Sequence, residues 1–121
     1  MSNKTKKIID WVLAGIVGLL FIASAAGKLA GSQQTIDMAQ QLGISAATFK
    51  TLGVIELLCA LLFIIPRTGV LGTLLLAAYM GGAIATHLQH GLPLAPVIII
   101  EALVWIAAIV RFPELRQRLI S

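Results

Sequence analysis

The sequence predicts an all-α fold, a transmembrane four-helix bundle with a short amphipathic surface helix between the first and second spans. The 121-residue chain is 59% apolar, has a mean hydropathy of +0.98 and contains only 12% charged residues. Soluble domains carry about 25% charged residues, so this chain is predicted to lie in lipid. Four apolar stretches are each close to the roughly 20 residues that cross a bilayer. Together they use most of the chain, which leaves room for one domain.

Two prolines mark the boundaries of predicted spans within a single integral membrane domain, 1–121. Pro66 ends the second span, because proline cannot continue a helix. Pro96 falls in the first turn of the fourth span, where its missing N–H group costs little. The second span is short for a bilayer of about 30 Å, so its helix is expected to begin near Ala46. The predicted spans are about 8–28, 48–65, 69–88 and 94–112.

The segment between the first two spans, residues 31–50, is too polar to cross the membrane. Ile36, Ala39 and Leu42 recur in it at helical spacing, and a glycine follows as a stop signal. This pattern predicts a short amphipathic helix over about 34–42 that lies at the membrane surface. A plain solvated loop is the alternative.

The distribution of lysine and arginine predicts the orientation of the chain. If there are four spans, seven of these residues fall on one side of the membrane and two on the other. The excess marks the cytoplasmic side, so both termini are expected in the cytoplasm. These residues lie at the chain ends and in loops and form no basic face, which argues against a nucleic-acid partner. The seven are Lys4, Lys6, Lys7, Arg67, Arg111, Arg116 and Arg118, and the two are Lys28 and Lys50.

The small residues that close the first span permit two interpretations. Ala23-Ser24-Ala25 looks like a signal-peptidase site, and it also suits the end of a retained membrane helix. Cleavage there would leave three spans and put Arg67 and the basic carboxy terminus on opposite sides. An uncleaved first span keeps Arg67 and the basic carboxy terminus on the same side of the membrane. The first span is therefore expected to be retained.

Four ionisable side chains are predicted to meet in the outer half of the bundle. Glu56 and Glu101 lie inside the second and fourth spans, roughly 8–12 Å below the external side. Lys28 and His87 close the first and third spans at that same side. Ionisable residues within a span usually face the bundle interior or a watery cavity. Such a carboxyl group could bind a cation, accept a proton or donate a hydrogen bond to a ligand carbonyl. The alternative is a satisfied polar cluster that only fixes the order of the helices.

The histidine, cysteine and tyrosine side chains of the sequence indicate neither a metal centre nor a catalytic site. His87 and His90 are three apart, but no cysteine or aspartate cluster accompanies them. Cys59 is the only cysteine, which excludes an intrachain disulfide and favours a small buried hydrophobe. Tyr79 could offer a hydroxyl group to the core. The chain has no flavin, haem or iron–sulfur motif, so it is not predicted to carry electrons alone.

Small residues in the third span are predicted to let helix backbones approach closely. Ala77, Gly81 and Ala85 are four apart, and Ala78 and Gly82 form a parallel row. Rows of small residues at this spacing are typical of helix contacts in membranes.

Three stretches of the chain resemble a known protein family. They close the first span and form the second and third spans, and their sequences are ASAAGKLAG, GVIELLCALLFIIP and RTGVLGTLLLAAYMGGAIATHL. In order and in span length, over residues 10–110 or so, they resemble the DoxX-like membrane proteins. The resemblance implies a four-helix integral protein of the bacterial inner membrane. It also implies Lys28, Glu56 and His87 as candidate site residues, whereas Glu101 has no secure counterpart in the family pattern.

The resemblance further implies an association with oxidoreduction. The family name derives from a small subunit of a terminal quinol oxidase, or thiosulfate:quinone oxidoreductase, system. A small membrane subunit that binds a quinone-like apolar ligand at the polar cluster, beside a redox-active protein partner, is therefore expected. A non-catalytic accessory or assembly protein is the alternative, and a proton-coupled transporter ranks third. The lipid bilayer and a second copy of the chain are the other expected partners.

Overall fold

The computed structural model of the protein describes residues 2–120, and within that range the chain forms six α-helices, a 3-10 turn and no strand. The predicted all-α class is confirmed. The 3-10 turn, Pro66–Thr68, joins the third helix to the fourth. The helices are α1 (Asn3–Ala30), α2 (Gln33–Leu42), α3 (Ala46–Ile64), α4 (Gly69–Gln89), α5 (Ala95–Arg111) and α6 (Pro113–Ile120).

Three segments are long and apolar enough to cross a bilayer, namely α1, α3 and the stretch Pro66–Gln89 that contains α4. Helix α5 has 17 residues, or about 25 Å of helix. Together with α6 it passes the same test as a broken span that bends by 112°. The described part of the chain thus holds three spanning helices, or four if the bent pair counts as one. This is the architecture of an integral membrane protein.

Serine caps and left-handed glycines separate α2 from the helices on either side. The Ser32 and Ser45 hydroxyls accept hydrogen bonds from backbone N–H groups in the first turns of α2 and α3. Gly31 and Gly43 end α1 and α2 with φ angles of 67° and 69°, which glycine adopts readily. The segment between the first two spans is therefore a helix and not a plain loop. Helix α3 begins at Ala46, as the span-length argument predicts.

The four long helices form a closed ring in the order α1, α3, α4, α5, and α5 returns to contact α1. Large apolar side chains fill the centre of this ring, among them Phe21, Phe63, Leu76 and Val104. Leucine, isoleucine and valine side chains stay exposed on the outward faces, where lipid would cover them. Helix α2 packs against α1 and α3, and α6 packs against α5.

Helices α3 and α4 approach closely at Gly72, where an added side chain would meet the backbone of Phe63. Gly81 and Gly82 face open space instead, so the prediction that these glycines mediate helix contact is wrong for contacts within residues 2–120. The buried stripe of α4 runs through Gly72 and Met80. Gly81 lies about 100° further round the helix and so points away from that contact.

The end of α5 is tied to the end of α3 by Arg111, which the sequence analysis used only in the charge count. Its guanidinium donates hydrogen bonds to the carbonyl oxygens of Phe63 (2.9 Å) and Ile64 (3.2 Å). It also lies 4.7 Å from the ring centroids of Phe63 and Phe112. A cation is favourable at the carboxy terminus of a helix, so Arg111 stabilises the last turn of α3 at the bend between α5 and α6.

Candidate functional site

A cavity of about 520 Å³ lies at the end of the bundle that carries α2, and we refer to it as the α2-end cavity. Its size is within the range of about 300–1,000 Å³ that is usual for small-molecule sites. Helices α1 to α5 all contribute to its wall, which is mostly apolar. The lining residues are Leu20, Phe21, Ser24, Lys28, Met38, Leu42, Ile44, Phe49, Leu52, Glu56, Ala78, Tyr79, Met80, Gly82, Ala83, Thr86, His87, Pro96, Val97 and Ile100.

A buried ion pair forms the charged part of this wall. Lys28 Nζ lies 2.9 Å from Glu56 Oε1, and the two side chains are only 10% and 3% exposed. Ser24 joins them, since its Oγ accepts from Lys28 Nζ at 2.7 Å and donates to Glu56 Oε1 at 3.2 Å. The Lys28 ammonium also lies 5.2 Å from the centroid of the Phe49 ring, within cation–π range. These contacts make a compact polar cluster in an apolar setting.

The backbone brings this cluster together by a close approach of α1 to α3. Ser24 and Lys28 are four apart and so share one face of α1. On α3, Gly53 and Glu56 share the buried face, one turn apart. A side chain at Gly53 would meet Lys28 Cβ at 2.9 Å and the Ala25 carbonyl oxygen at 3.3 Å. The absence of a side chain at Gly53 therefore lets the lysine reach the glutamate.

His87 contributes a polar group to the opposite wall, from α4. Its Nδ1 lies 2.7 Å from the Ala83 carbonyl oxygen, which can only accept, so Nδ1 carries a proton and donates it. Within residues 2–120 the Nε2 atom makes no hydrogen bond and is available to a ligand. His90 donates in the same way to the Thr86 carbonyl oxygen at 2.9 Å, but it does not line the cavity.

Two further hydroxyl groups belong to the site. Ser24 was missed by the sequence analysis, where it appeared only in the possible cleavage site. The available signal was its position four residues before Lys28 on the same helix. Tyr79, which the sequence placed in the core region without a partner, lines the cavity next to Glu56.

Glu101 does not join the other three predicted site residues. Its Oε1 accepts a hydrogen bond of 2.9 Å from Trp105 Nε1, one turn further along α5. The preceding residue, Ile100, lines the cavity, so Glu101 projects about 100° away around the helix. Lys28, Glu56 and His87 thus meet at the α2-end cavity, and Glu101 belongs to a separate contact.

A second cavity of about 490 Å³ adjoins the first beneath α2. Lys28, Ile44 and Phe49 line both cavities, so these side chains form the partition between them. Lys50 also lines the second cavity.

The arrangement suits a ligand with an apolar body and hydrogen-bond acceptors. The apolar walls can bury the body, while the Lys28 ammonium can donate a hydrogen bond to an acceptor on the ligand. His87 Nε2, on a different helix, can accept one. Within residues 2–120, no group of three histidine, cysteine, aspartate or glutamate side chains could hold a metal ion.

Comparison with known proteins gives one match. A family model described as the DoxX-like family matches residues 12–110 of the chain. The matched range includes Lys28, Glu56 and His87. No curated protein and no solved structure gives a significant match.

Proposed function

Since the chain belongs to the DoxX-like family, we propose that it is a small integral membrane subunit that binds a quinone-like apolar ligand in the α2-end cavity. The observation that carries this proposal is a mostly apolar cavity of about 520 Å³ with the buried Lys28–Glu56 pair on its wall. The seven-to-two distribution of basic residues supports an orientation with both termini in the cytoplasm. Membership of the DoxX-like family supports the bacterial inner membrane as the location.

The Lys28 ammonium fits a carbonyl oxygen of a quinone ring, which accepts hydrogen bonds. The Lys28 ammonium has three N–H donors, of which Glu56 and Ser24 use two. The third N–H can donate to one quinone carbonyl oxygen. His87 Nε2, whose ring proton sits on Nδ1, can instead accept a hydrogen bond from the hydroxyl group of the reduced quinol. Phe21, together with its apolar neighbours in the lining, would pack against the ring.

Redox chemistry at this site needs a protein partner. The sequence contains no motif for flavin, haem or iron–sulfur binding, so the chain itself would bind and orient the ligand. We propose that the electrons are exchanged with a membrane oxidoreductase to which this subunit is attached. The cluster of Lys28, Glu56 and Ser24 is also internally satisfied by its own hydrogen bonds, which favours an accessory or assembly protein as the second candidate.

Replacing Glu56 with glutamine is expected to abolish ligand retention. The amide cannot hold the Lys28 ammonium by charge, so the donor that faces the ligand loses its position. The measurement is mass spectrometry of solvent extracts from gently purified protein, in which the wild type should release a quinone and Glu56→Gln should not. Glu101→Gln is the matched control, since this carboxylate bonds Trp105 and lies outside the cavity.

Two results would count against the quinone proposal. Lipid alone in the wild-type extract would favour the assembly role. A quinone retained equally by the wild type and a folded Glu56→Gln variant would place the ligand elsewhere.

Filling the cavity at Gly82 is expected to exclude the ligand without disturbing the bundle. Gly82 lines the cavity, and a Cβ atom added there would meet no atom of residues 2–120 within 4 Å. Gly82→Leu should therefore lose the co-purifying quinone and keep the wild-type thermal stability. Gly81→Leu is the control, because Gly81 also faces open space but does not line the cavity. Equal loss from both variants would show that the effect is not specific to this cavity.

A further inference from the structure

The amino-terminal part of α1 carries a shallow groove of about 480 Å³. The α1 residues that line the α2-end cavity belong to the other half of this helix. Its lining residues are Lys4, Lys7, Ile8, Trp11 and Val12. They fall at positions i, i+3, i+4, i+7 and i+8, so they form one face of the helix. We call them the Lys4–Val12 groove.

The two lysines of the groove are free to bind an anion. Lys4 and Lys7 are exposed, and neither has an ion-pair partner within residues 2–120. Lys6, on another face of α1, is paired with Asp10 at 2.8 Å and donates to the Val110 carbonyl oxygen. Since no acidic residue lines the groove, it presents an uncompensated positive charge.

The floor of the groove is apolar and open. Ile8, Trp11 and Val12 are each more than half exposed. The exposed apolar stripe continues along α1 through Ile16 and Leu19. No other helix of the described chain covers this face, and its length suits an extended acyl chain.

The length of α1 sets the groove at the edge of the bilayer. Its 28 residues span about 42 Å, whereas the hydrocarbon core is about 30 Å thick. The helix therefore extends into the headgroup region, where lysines and tryptophans are both favoured. A hydrocarbon boundary near Trp11 would place Lys4 and Lys7 at the level of the lipid phosphates.

We propose that the Lys4–Val12 groove is a binding site for an anionic phospholipid. The two ammonium groups hold the phosphate headgroup, and one acyl chain lies along Trp11 and the stripe that follows it. A second copy of the chain fits less well, because a symmetric contact would place the same two lysines opposite each other. This site is independent of the ligand proposed for the α2-end cavity.

Quenching of Trp11 by brominated lipid tests the proposal directly. The chain has two tryptophans, so Trp105→Phe leaves Trp11 as the sole reporter inside the groove. The protein is reconstituted into phosphatidylcholine vesicles that contain brominated phosphatidylglycerol or brominated phosphatidylcholine. Comparison of the two quenching curves gives the relative affinity of the groove for the anionic headgroup.

We expect a preference for phosphatidylglycerol of about fivefold per lysine at low ionic strength. The preference should shrink at high salt, because exposed charges are screened. Lys4→Gln/Lys7→Gln should abolish it, whereas Lys50→Gln, which changes an exposed lysine outside the groove, should retain it. A Trp11→Phe protein, which reports from Trp105, should show no preference.

Three outcomes would overturn the proposal. The first is equal quenching by both lipids in the protein that retains Lys4 and Lys7. The second is a preference that survives in the double variant. The third is an equal preference reported by Trp105, since that would describe the whole bilayer around the protein and not this groove.

Discussion

Lys28→Met is expected to lower the free energy of unfolding by about 3–5 kcal/mol, because it leaves the Glu56 carboxylate buried without its cation. Glu56 is 3% exposed on its side chain and has the Lys28 ammonium as its charged partner at 2.9 Å. Ser24 alone cannot replace that charge. Reversible unfolding in mixed micelles, followed by circular dichroism, measures the loss.

The double variant Lys28→Met/Glu56→Leu tests whether the stability lost in Lys28→Met comes from the unpaired Glu56 charge. Removing both charges replaces a buried ion pair with apolar side chains, which is often neutral or stabilising. The double variant should therefore regain most of the stability lost by Lys28→Met, and it should still lack the co-purifying quinone. Lys50→Met is the matched control, since Lys50 is exposed and has no ion-pair partner within residues 2–120. A folded Lys28→Met protein with wild-type stability would show that the pair is not buried.

Gly72→Ala is expected to destabilise the bundle by about 1–3 kcal/mol through overpacking. A methyl group at this position meets the backbone of Phe63, which cannot rotate aside as a side chain would. Helices α3 and α4 must then separate along their contact. Thermal unfolding in the same micelles should show a lower transition temperature.

Gly81→Ala provides the comparison within the same helix. Gly81 faces open space, and alanine is favoured over glycine in a helix by about 1 kcal/mol. This variant should be as stable as the wild type or more stable. If Gly72→Ala and Gly81→Ala behave alike, the close contact at Gly72 does not limit the packing of α3 against α4.

The sequence by itself determined the class of protein and the local structure. Apolar stretches of span length, with few charges, require helices in lipid, because each backbone polar group must be bonded within its own segment. The start of α3 at Ala46 follows from the thickness of the bilayer, and the helix over Gln33–Leu42 follows from its spacing of apolar residues. The candidate residues Lys28, Glu56 and His87 could be found because an ionisable group near or inside a span is conspicuous.

Only the tertiary structure decided which of these groups meet. Glu56 faces Lys28 and Ser24, whereas Glu101, also predicted for the cluster, bonds Trp105 on its own helix. Helix α4 approaches α3 closely at Gly72 and not at Gly81, although both positions hold glycine.

The physical reason is that a membrane helix is apolar on most of its faces. Helices α3 and α4 have apolar residues on both the buried and the lipid-facing sides, as the exposed Leu58 and Leu74 show. Their sequences therefore do not reveal which side turns inward, since lipid and protein interior favour the same residues. The rotation of each helix is set by packing around the whole ring, at contacts such as Gly53 against α1. That rotation determines which polar groups share a cavity.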